Sequence, residues 1–416
     1  MKLFLISITL LLLLTACSKD SDNNNQVPTT ARRTVIVYVS GDNNLSSETY
    51  GDLQELINGS YTALSSSDRL VMFVDRVSTR EKPFIARITG DKKQPVDTLY
   101  KYNEDMYSSD PDVFKESVSH IMTLCPAKEY GLVLWGHGSG WCIEKDTRPS
   151  TSAPRRAYGR DNGNKSPDTN KGLWLNIPDM RTCFEQLRVK WKFIFADCCN
   201  MMGAEVAFEL RNWADYLIGS PAEIPGRGAP YNQLVQYFFS QSEDFYAGIV
   251  DTYAAEYPNN LPLSAIRLSE MEQLAVATKT VLPAIAEHLK LGDAVATKGM
   301  IYYYSPGGRN DNINKSMYDM NDMIRFALGE QSQAYETWHQ AYLKAVPKSV
   351  KASGWSTNNS NTVNFSEFNV TDAKMGCVSM FFPLDKYNSS SCLYTYNTDI
   401  LKMQWYQAVG WSAVGY

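Results

Sequence analysis

Histidine is scarce in this chain, with four residues among 416. None of the eight cysteines forms a Cys-x-x-Cys pair and no His-rich spacing of the zinc type occurs, so no metal site is assigned. A basic excess is also missing. Lys and Arg number 40 against 45 Asp and Glu, a formal net charge of -5, which argues against nucleic acid as the main partner. Beyond the first residues there is no long apolar run, so the body is expected to be soluble. There is no internal repeat. What is present is 44% hydrophobic residues, ample for a large core, in a length that suits one large domain or two.

The one long apolar run is Leu3 to Leu14, behind the basic start Met1-Lys2 and ahead of Thr15-Ala16-Cys17. It is too short and wrongly flanked for a stable membrane span and reads as a secretory signal over 1–17. Leu14-Thr-Ala-Cys17 resembles the bacterial lipobox, which implies a lipid on Cys17; an ordinary cleaved signal is the alternative. Residues 18–32 are polar, with Ser18-Lys-Asp-Ser-Asp-Asn-Asn-Asn25 at their head, and suit a disordered tether. That acidic stretch resembles the surface-export signals of some Bacteroidetes lipoproteins. The expectation is an exported protein, lipid-anchored in a bacterial envelope at the outer membrane and facing outward, which touches membrane only through Cys17. Without Cys17 seven cysteines remain, an odd number that leaves one thiol unpaired unless it bonds another molecule.

Along the body, short continuous apolar runs alternate with helical patterns. Strands are expected at Thr34–Val39, Leu70–Val74, Gly131–Trp135, Phe193–Ala196 and Tyr216–Gly219, with a hairpin from Phe84–Ile88 and Val96–Tyr100. Helices are expected at Ser46–Ile57, after Asp110, at Ile177–Leu187 and at Glu205–Asn212. Apolar runs between helices argue for an α/β fold over 33–229, a mostly parallel sheet with helices on both faces. After Pro230 helical patterns dominate, with strand-like pieces at Met300–Tyr304 and Gly376–Phe382. Residues 230–416 therefore read as a mixed α+β region packed on the first. The interval Ile143 to Lys171 breaks the rhythm as a long polar loop rich in basic residues.

Two of the strands end in reactive side chains. Gly131-Leu-Val-Leu-Trp-Gly-His-Gly-Ser-Gly-Trp141 delivers His137 between glycines, and Phe193-Ile-Phe-Ala-Asp-Cys-Cys-Asn200 delivers two cysteines. In open α/β sheets functional groups gather beyond the carboxyl ends of the strands. An imidazole beside a thiol is the minimum for a cysteine nucleophile. Cys198 and Cys199 are adjacent and should point different ways, one to the core and one outward. His120, His288 and His339 fall on amphipathic helices and read as packing or surface residues. Asp197 caps or hydrogen-bonds internally, or it holds a cation. A carboxylate so near a thiol hinders thiolate formation, so a Lys or Arg substrate side chain would give it a purpose.

These segments resemble the clostripain family of cysteine peptidases, of the caspase-like clan. The resemblance rests on Tyr38-Val-Ser-Gly-Asp-Asn-Asn-Leu45, the run to Trp141, and Asp197-Cys-Cys-Asn-Met-Met-Gly-Ala-Glu-Val-Ala-Phe-Glu-Leu210. Ser220-Pro-Ala-Glu-Ile-Pro-Gly226 and Gly376-Cys-Val-Ser-Met-Phe-Phe-Pro383 agree more loosely. It implies Cys199 as nucleophile, counted back from Glu205, and His137 as general base and acid. It also implies an oxyanion site from the backbone N–H groups of Gly138 and Cys199. Asp197 would bind a basic side chain with Glu223 adding charge, and Asn43 or Asp42 would orient His137. The implied reaction is hydrolysis of peptides or proteins after Arg or Lys through a thioester. Asn200 departs from the bulkier apolar residue usual after the nucleophile, and Cys198 stands where the family has a small residue; a Cys198–Cys199 disulfide would silence the enzyme.

The resemblance further implies processing between histidine and cysteine, with Arg155-Arg156 in the basic loop, expected to be exposed, as the candidate site. Calcium serves some relatives, but the Asp161–Asp168 loop lacks an EF-hand pattern, so no cofactor is assigned. Two other readings remain open: a catalytically silent binding lipoprotein on the same fold, and a transpeptidase or amidase using the same pair.

Overall fold

The computed structural model describes residues 29–78, 81–143, 157–163, 173–305, 312–356, 362–364, 371, 373–392 and 395–416. The lipobox with Cys17, the tether to residue 28, Arg155-Arg156 and Asp168 lie outside them.

The strands are β1 (Ala31–Gly41), β2 (Asp68–Arg76), β3 (Phe84–Ile88), β4 (Val96–Lys101), β5 (Ala127–Trp135), β6 (Tyr158–Asp161), β7 (Leu173–Leu175), β8 (Trp191–Asp197), β9 (Tyr216–Gly219) and β10 (Leu263–Arg267). A nine-stranded sheet runs in the order Lys348–Val350, β10, β9, β8, β5, β1, β2, β3, β4. Its middle five strands, β9 to β2, are parallel. Both edges are extended by antiparallel strands. The parallel strands are apolar almost throughout because helices cover both faces: Val35 to Val39 and Phe193 to Ala196 are buried without a break.

The helices are α1 (Glu48–Ala63), α2 (Pro111–Leu124), α3 (Ile177–Leu187), α4 (Ala204–Leu210), α5 (Tyr231–Phe238), α6 (Phe245–Glu256) and α7 (Met271–Leu289). Each face has its own core. Leu56 of α1, Leu234 and Phe238 of α5, and Ile249 and Tyr253 of α6 pack on Val37, Val133 and Phe195. On the other face Phe114, Val118 and Ile121 of α2 join Phe184 of α3 and Val206 of α4 against Ile36, Leu132 and Ile194. Each such fully buried side chain contributes about 1.5–3 kcal/mol. Helix α2 begins where expected because the Asp110 side chain accepts from the N–H groups of Asp112 and Val113, with Pro111 in the first turn.

The change of character at Pro230 is not a break in the sheet. Helices α5 and α6 cover one of its faces, and β10 with Lys348–Val350 extends its edge. Further residues after 290 form a three-stranded sheet from Tyr302–Tyr304, Ser316–Asp319 and Ser379–Met380. A helix at Met320–Leu328 follows the second of these strands, and the Asp319 side chain caps it by accepting from the Asp322 N–H. The loop expected from Ile143 to Lys171 is not structureless: β6 lies within it and pairs antiparallel with β7. No helix among the described residues is long and apolar enough to cross a membrane.

Candidate active site

The strand order puts β1 between β5 and β2, so the chain reverses its direction of travel across the sheet at β1. The carboxyl ends of β1, β5 and β8 therefore open a shared crevice. Register fixes their heights: Val39 is level with Trp135, and Trp135 with Asp197. His137 and Cys199 each follow two residues later. They line one cleft of about 360 Å³ together with Asn44, Trp135, Asp197, Glu223, Ile224, Gly228 and Ser356.

The two loops touch through backbone. A Cβ on Gly138 would lie 2.6 Å from the carbonyl oxygen of Cys199 and 3.1 Å from its nitrogen, so only glycine lets the segments approach. Gly138 sits opposite Tyr158 of β6, flanked by hydrogen bonds from Ser139 N to Ala157 O (2.8 Å) and from Gly159 N to His137 O (2.8 Å). The ladder bonds fall on either side of Gly138 and leave its own N–H out.

Cys198 and Cys199 part as adjacent residues should. Cys198 is buried in the core, and burial pushes its thiol well above the usual range. It forms no disulfide with Cys199. Cys199 is partly exposed, and its Sγ accepts from the Ile224 N–H at 3.3 Å. The chain turns at Asn200, which takes a left-handed φ of 60°. Asn tolerates that region better than a bulky apolar residue would, a physical reason for its presence here. Asn200 N then bonds Ala222 O (3.0 Å) and Met202 N bonds Ser220 O (3.1 Å), so residues 220–224 form the pocket wall alongside the cysteine loop. From the other side Ser379 N reaches Met202 O (2.9 Å) and Phe381 N reaches the buried Glu205 carboxylate (2.7 Å). Burial raises Glu205 to about 7.

Asn44 meets His137, with its Oδ1 2.8 Å from Nε2. With that oxygen accepting, Nε2 carries the proton and the neutral ring keeps its lone pair on Nδ1. Of the two neighbouring residues expected in this role, Asn43 spends its side chain on backbone, donating to Ser40 O (3.0 Å) and Arg160 O (2.6 Å) and accepting from Leu45 N (2.8 Å). Asp42 is fully buried, grouped with Asp75 and Asp105.

Asp197 lies under the cleft. Its carboxylate accepts from the Tyr231 and Tyr253 hydroxyls, both at 2.7 Å, and from Ala229 N at 3.2 Å. Burial nonetheless raises it above the ordinary carboxylate range. Gly228 sits over it with φ 69°, and a Cβ there would be 3.0 Å from Asp197 Oδ2 and 3.4 Å from Asp52 Oδ2. Asp52, from α1, is thus a second acid beside Asp197. It accepts from Trp135 Nε1 at 2.6 Å, and burial together with Asp197 pushes it up to about 8. Glu223 lines the rim and accepts from Ser356 Oγ at 3.0 Å.

Sequence reasoning did not find Asn44, Asp52, Tyr231 or Tyr253. Asn44 was within reach, in the same Asp-Asn-Asn run as the residues chosen. Asp52 had a weak signal, a carboxylate one turn before the buried Leu56. The two tyrosines lie beyond residue 230, in what read as a separate region.

A family model for the clostripain family, the C11 peptidases, matches residues 37–414. The chain belongs to the clostripain family. Clostripain of Hathewaya histolytica is 26% identical over 224 residues, 48% of this chain and 41% of that enzyme's length, so the chain matches less than half of that relative. A secreted C11 cysteine protease of Bacteroides thetaiotaomicron, solved with an irreversible peptide inhibitor, superposes with a TM-score of 0.74 at 28% identity, covering 92% of this chain and all of that one. An inactive zymogen C11 protease of Parabacteroides distasonis gives a TM-score of 0.72 at 22% identity over 92% of this chain and 99% of its own. Its likeness supports the caspase-like α/β fold that family members share.

Proposed function

We propose that this chain is an exported cysteine endopeptidase that cleaves peptides and proteins after Arg or Lys. The observation that carries this reading is one cleft with His137 and Cys199 at its mouth and the Asp197 and Asp52 carboxylates beneath. Asn44 holds the imidazole so that Nδ1 takes the thiol proton of Cys199. The sulfur attacks the scissile carbonyl carbon, and the oxyanion is held by the N–H groups of Gly138 and Cys199. His137 gives the proton to the leaving amine, and the C–N bond breaks to leave a thioester. Water then loses a proton to His137, attacks the thioester and frees the acid, and the thiol is restored.

Burial of Asp197 without a positive partner among the described residues favours a substrate that brings one. A basic side chain entering above Gly228 meets Asp197 and Asp52 below and Glu223 at the rim. Digestion of a positional peptide library by wild type and by Cys199→Ala tests nucleophile and specificity together. Cleavage should follow Arg or Lys and vanish in the variant. Cleavage after other residues, or an active Cys199→Ala, would defeat the reading.

Two further parts rest on the sequence and the family. Self-cleavage in the basic loop at Arg155-Arg156 should produce two fragments from wild type and an intact chain from Cys199→Ala; intact wild type would exclude it. The lipid on Cys17 should be lost in Cys17→Ala when cells are fed an alkyne fatty acid. Equal labelling of both forms would exclude that anchor.

A further inference from the structure

The hydrogen bond from Asn44 does not by itself aim the reacting nitrogen of His137. Rotation about the Cβ–Cγ bond of a histidine moves Nε2 less than it swings Nδ1, and that torsion is broad. The imidazole can hold its contact with Asn44 while Nδ1 turns away from Cys199. We propose that Trp174 is a second positioning residue for His137, whose indole blocks that swing. The inference rests on the reading of His137 and Cys199 as a proton-transfer pair.

Trp174 is the middle residue of β7, the strand that follows the basic loop. Its ring centre lies 6.2 Å from that of His137, with the two planes tilted by 47°. It is 7% exposed, yet it joins neither of the cores that cover the two faces of the sheet. Side chains alternate along a strand, and its neighbour Leu175 is buried in one of those cores. Trp174 thus faces away from that core and toward the imidazole. A large aromatic ring buried against a reacting group, and not within a core, serves the site.

The support beneath the indole is tied to the histidine turn. β7 pairs with β6 through Leu175 opposite Tyr158 and Leu173 opposite Asp161, and Leu173 O accepts from Ser109 Oγ at 2.8 Å. In β6 the Gly159 N–H donates to His137 O at 2.8 Å, and the Tyr158 hydroxyl shares its proton between Tyr38 O (2.9 Å) and Trp135 O (3.2 Å). The ribbon that carries the indole and the turn that carries the imidazole are thus one hydrogen-bonded unit, fixed to β1 and β5. Trp174 lies outside the lining of the cleft that holds Asp197 and Glu223, so it acts on proton transfer and not on the basic side chain.

The test compares the whole wild-type protein with Trp174→Leu, Trp174→Phe and His137→Ala, by steady-state hydrolysis of fluorogenic peptide amides ending in Arg or Lys and by thermal melts. Trp174→Leu keeps an apolar side chain without a ring, and Trp174→Phe keeps a ring. The expected result is a kcat about tenfold lower in Trp174→Leu with KM within about twofold, and a kcat within about threefold of wild type in Trp174→Phe. Both variants should melt within a few degrees of wild type. An unchanged kcat in Trp174→Leu, or equal losses in the two variants, would overturn the proposal. A rise in KM in place of the fall in kcat would make Trp174 a wall for substrate, and a large loss of Tm alongside the loss of activity would make it a packing residue; either overturns it. An inert wild type, or a fully active His137→Ala, would sink the Cys–His reading and this inference with it, whereas failure confined to the Trp174 variants leaves that reading standing.

Discussion

The two acids under the cleft make a quantitative prediction about pH. Asp52 is pushed up to about 8 from the ordinary 3.8 by burial and by Asp197. An empty pocket near neutral pH therefore holds Asp52 mostly protonated. A guanidinium seated above Asp197 reverses the electrostatic balance and favours the ionised form, so binding releases a proton. Only about 1% of Asp52 is ionised at pH 6 and about half at pH 8, so affinity for a basic ligand should rise as much as about 50-fold across that range. The perturbation is Asp52→Asn, and the ligand is agmatine, which has the Arg side-chain group and no scissile bond. Both proteins carry Cys199→Ala, so that the nucleophile's titration does not enter. Calorimetry at pH 6, 7 and 8 should show Kd falling steeply when Asp52 is present and staying within about threefold in the Asp52→Asn protein. The same slope in both proteins, or none in either, would refute the reasoning. Stability follows with its own sign. The native state keeps a proton on Asp52 that the unfolded chain releases above 3.8, so wild type loses stability as pH rises from about 4 to about 8. Asp52→Asn should lack that loss, visible as a flatter plot of Tm against pH.

Asn44→Ala should lower kcat about tenfold to a hundredfold with a much smaller change in KM, because it frees the imidazole while Asp197, Asp52 and Glu223 stay in place for a basic side chain. An equal rise in KM would show that Asn44 acts on binding instead. Gly138→Ala places a methyl 2.6 Å from the Cys199 carbonyl oxygen, so the two loops must separate. Activity should fall about a hundredfold or more while the Tm stays within a few degrees of wild type. Full activity would remove Gly138 from the site.

The reactive centre was legible because its chemistry is local. A glycine-flanked histidine and a cysteine pair each end a strand whose apolar run is unmistakable, and parallel register does the rest. Helix α3 was readable to both its ends, since Pro178 sits in its first turn and a left-handed Arg188 closes it. The assembly of the pocket was less visible. Asp52, Tyr231 and Tyr253 meet Asp197 only because α1, α5 and α6 share one face of the sheet, and nothing in their local sequence records that neighbour. The shift in character at Pro230 marks a change from strand-rich to helix-rich chain. It does not mark the end of the sheet, because the short strands β10 and Lys348–Val350, each following a long helix, extend its edge. Choosing among Asp42, Asn43 and Asn44 needed the tight turn beyond β1, in which successive side chains face different ways.

The central claim is that Cys199 and His137 act together at a pocket built for a basic side chain. The most direct measurement is intact-protein mass spectrometry after exposure to a peptidyl acyloxymethyl ketone with Lys at the position preceding the reactive group. A single adduct mapped to Cys199, abolished in Cys199→Ala and slowed at least a hundredfold in His137→Ala, is the predicted result. Labelling at Cys198 or another cysteine, or equal rates with His137 removed, would contradict the account.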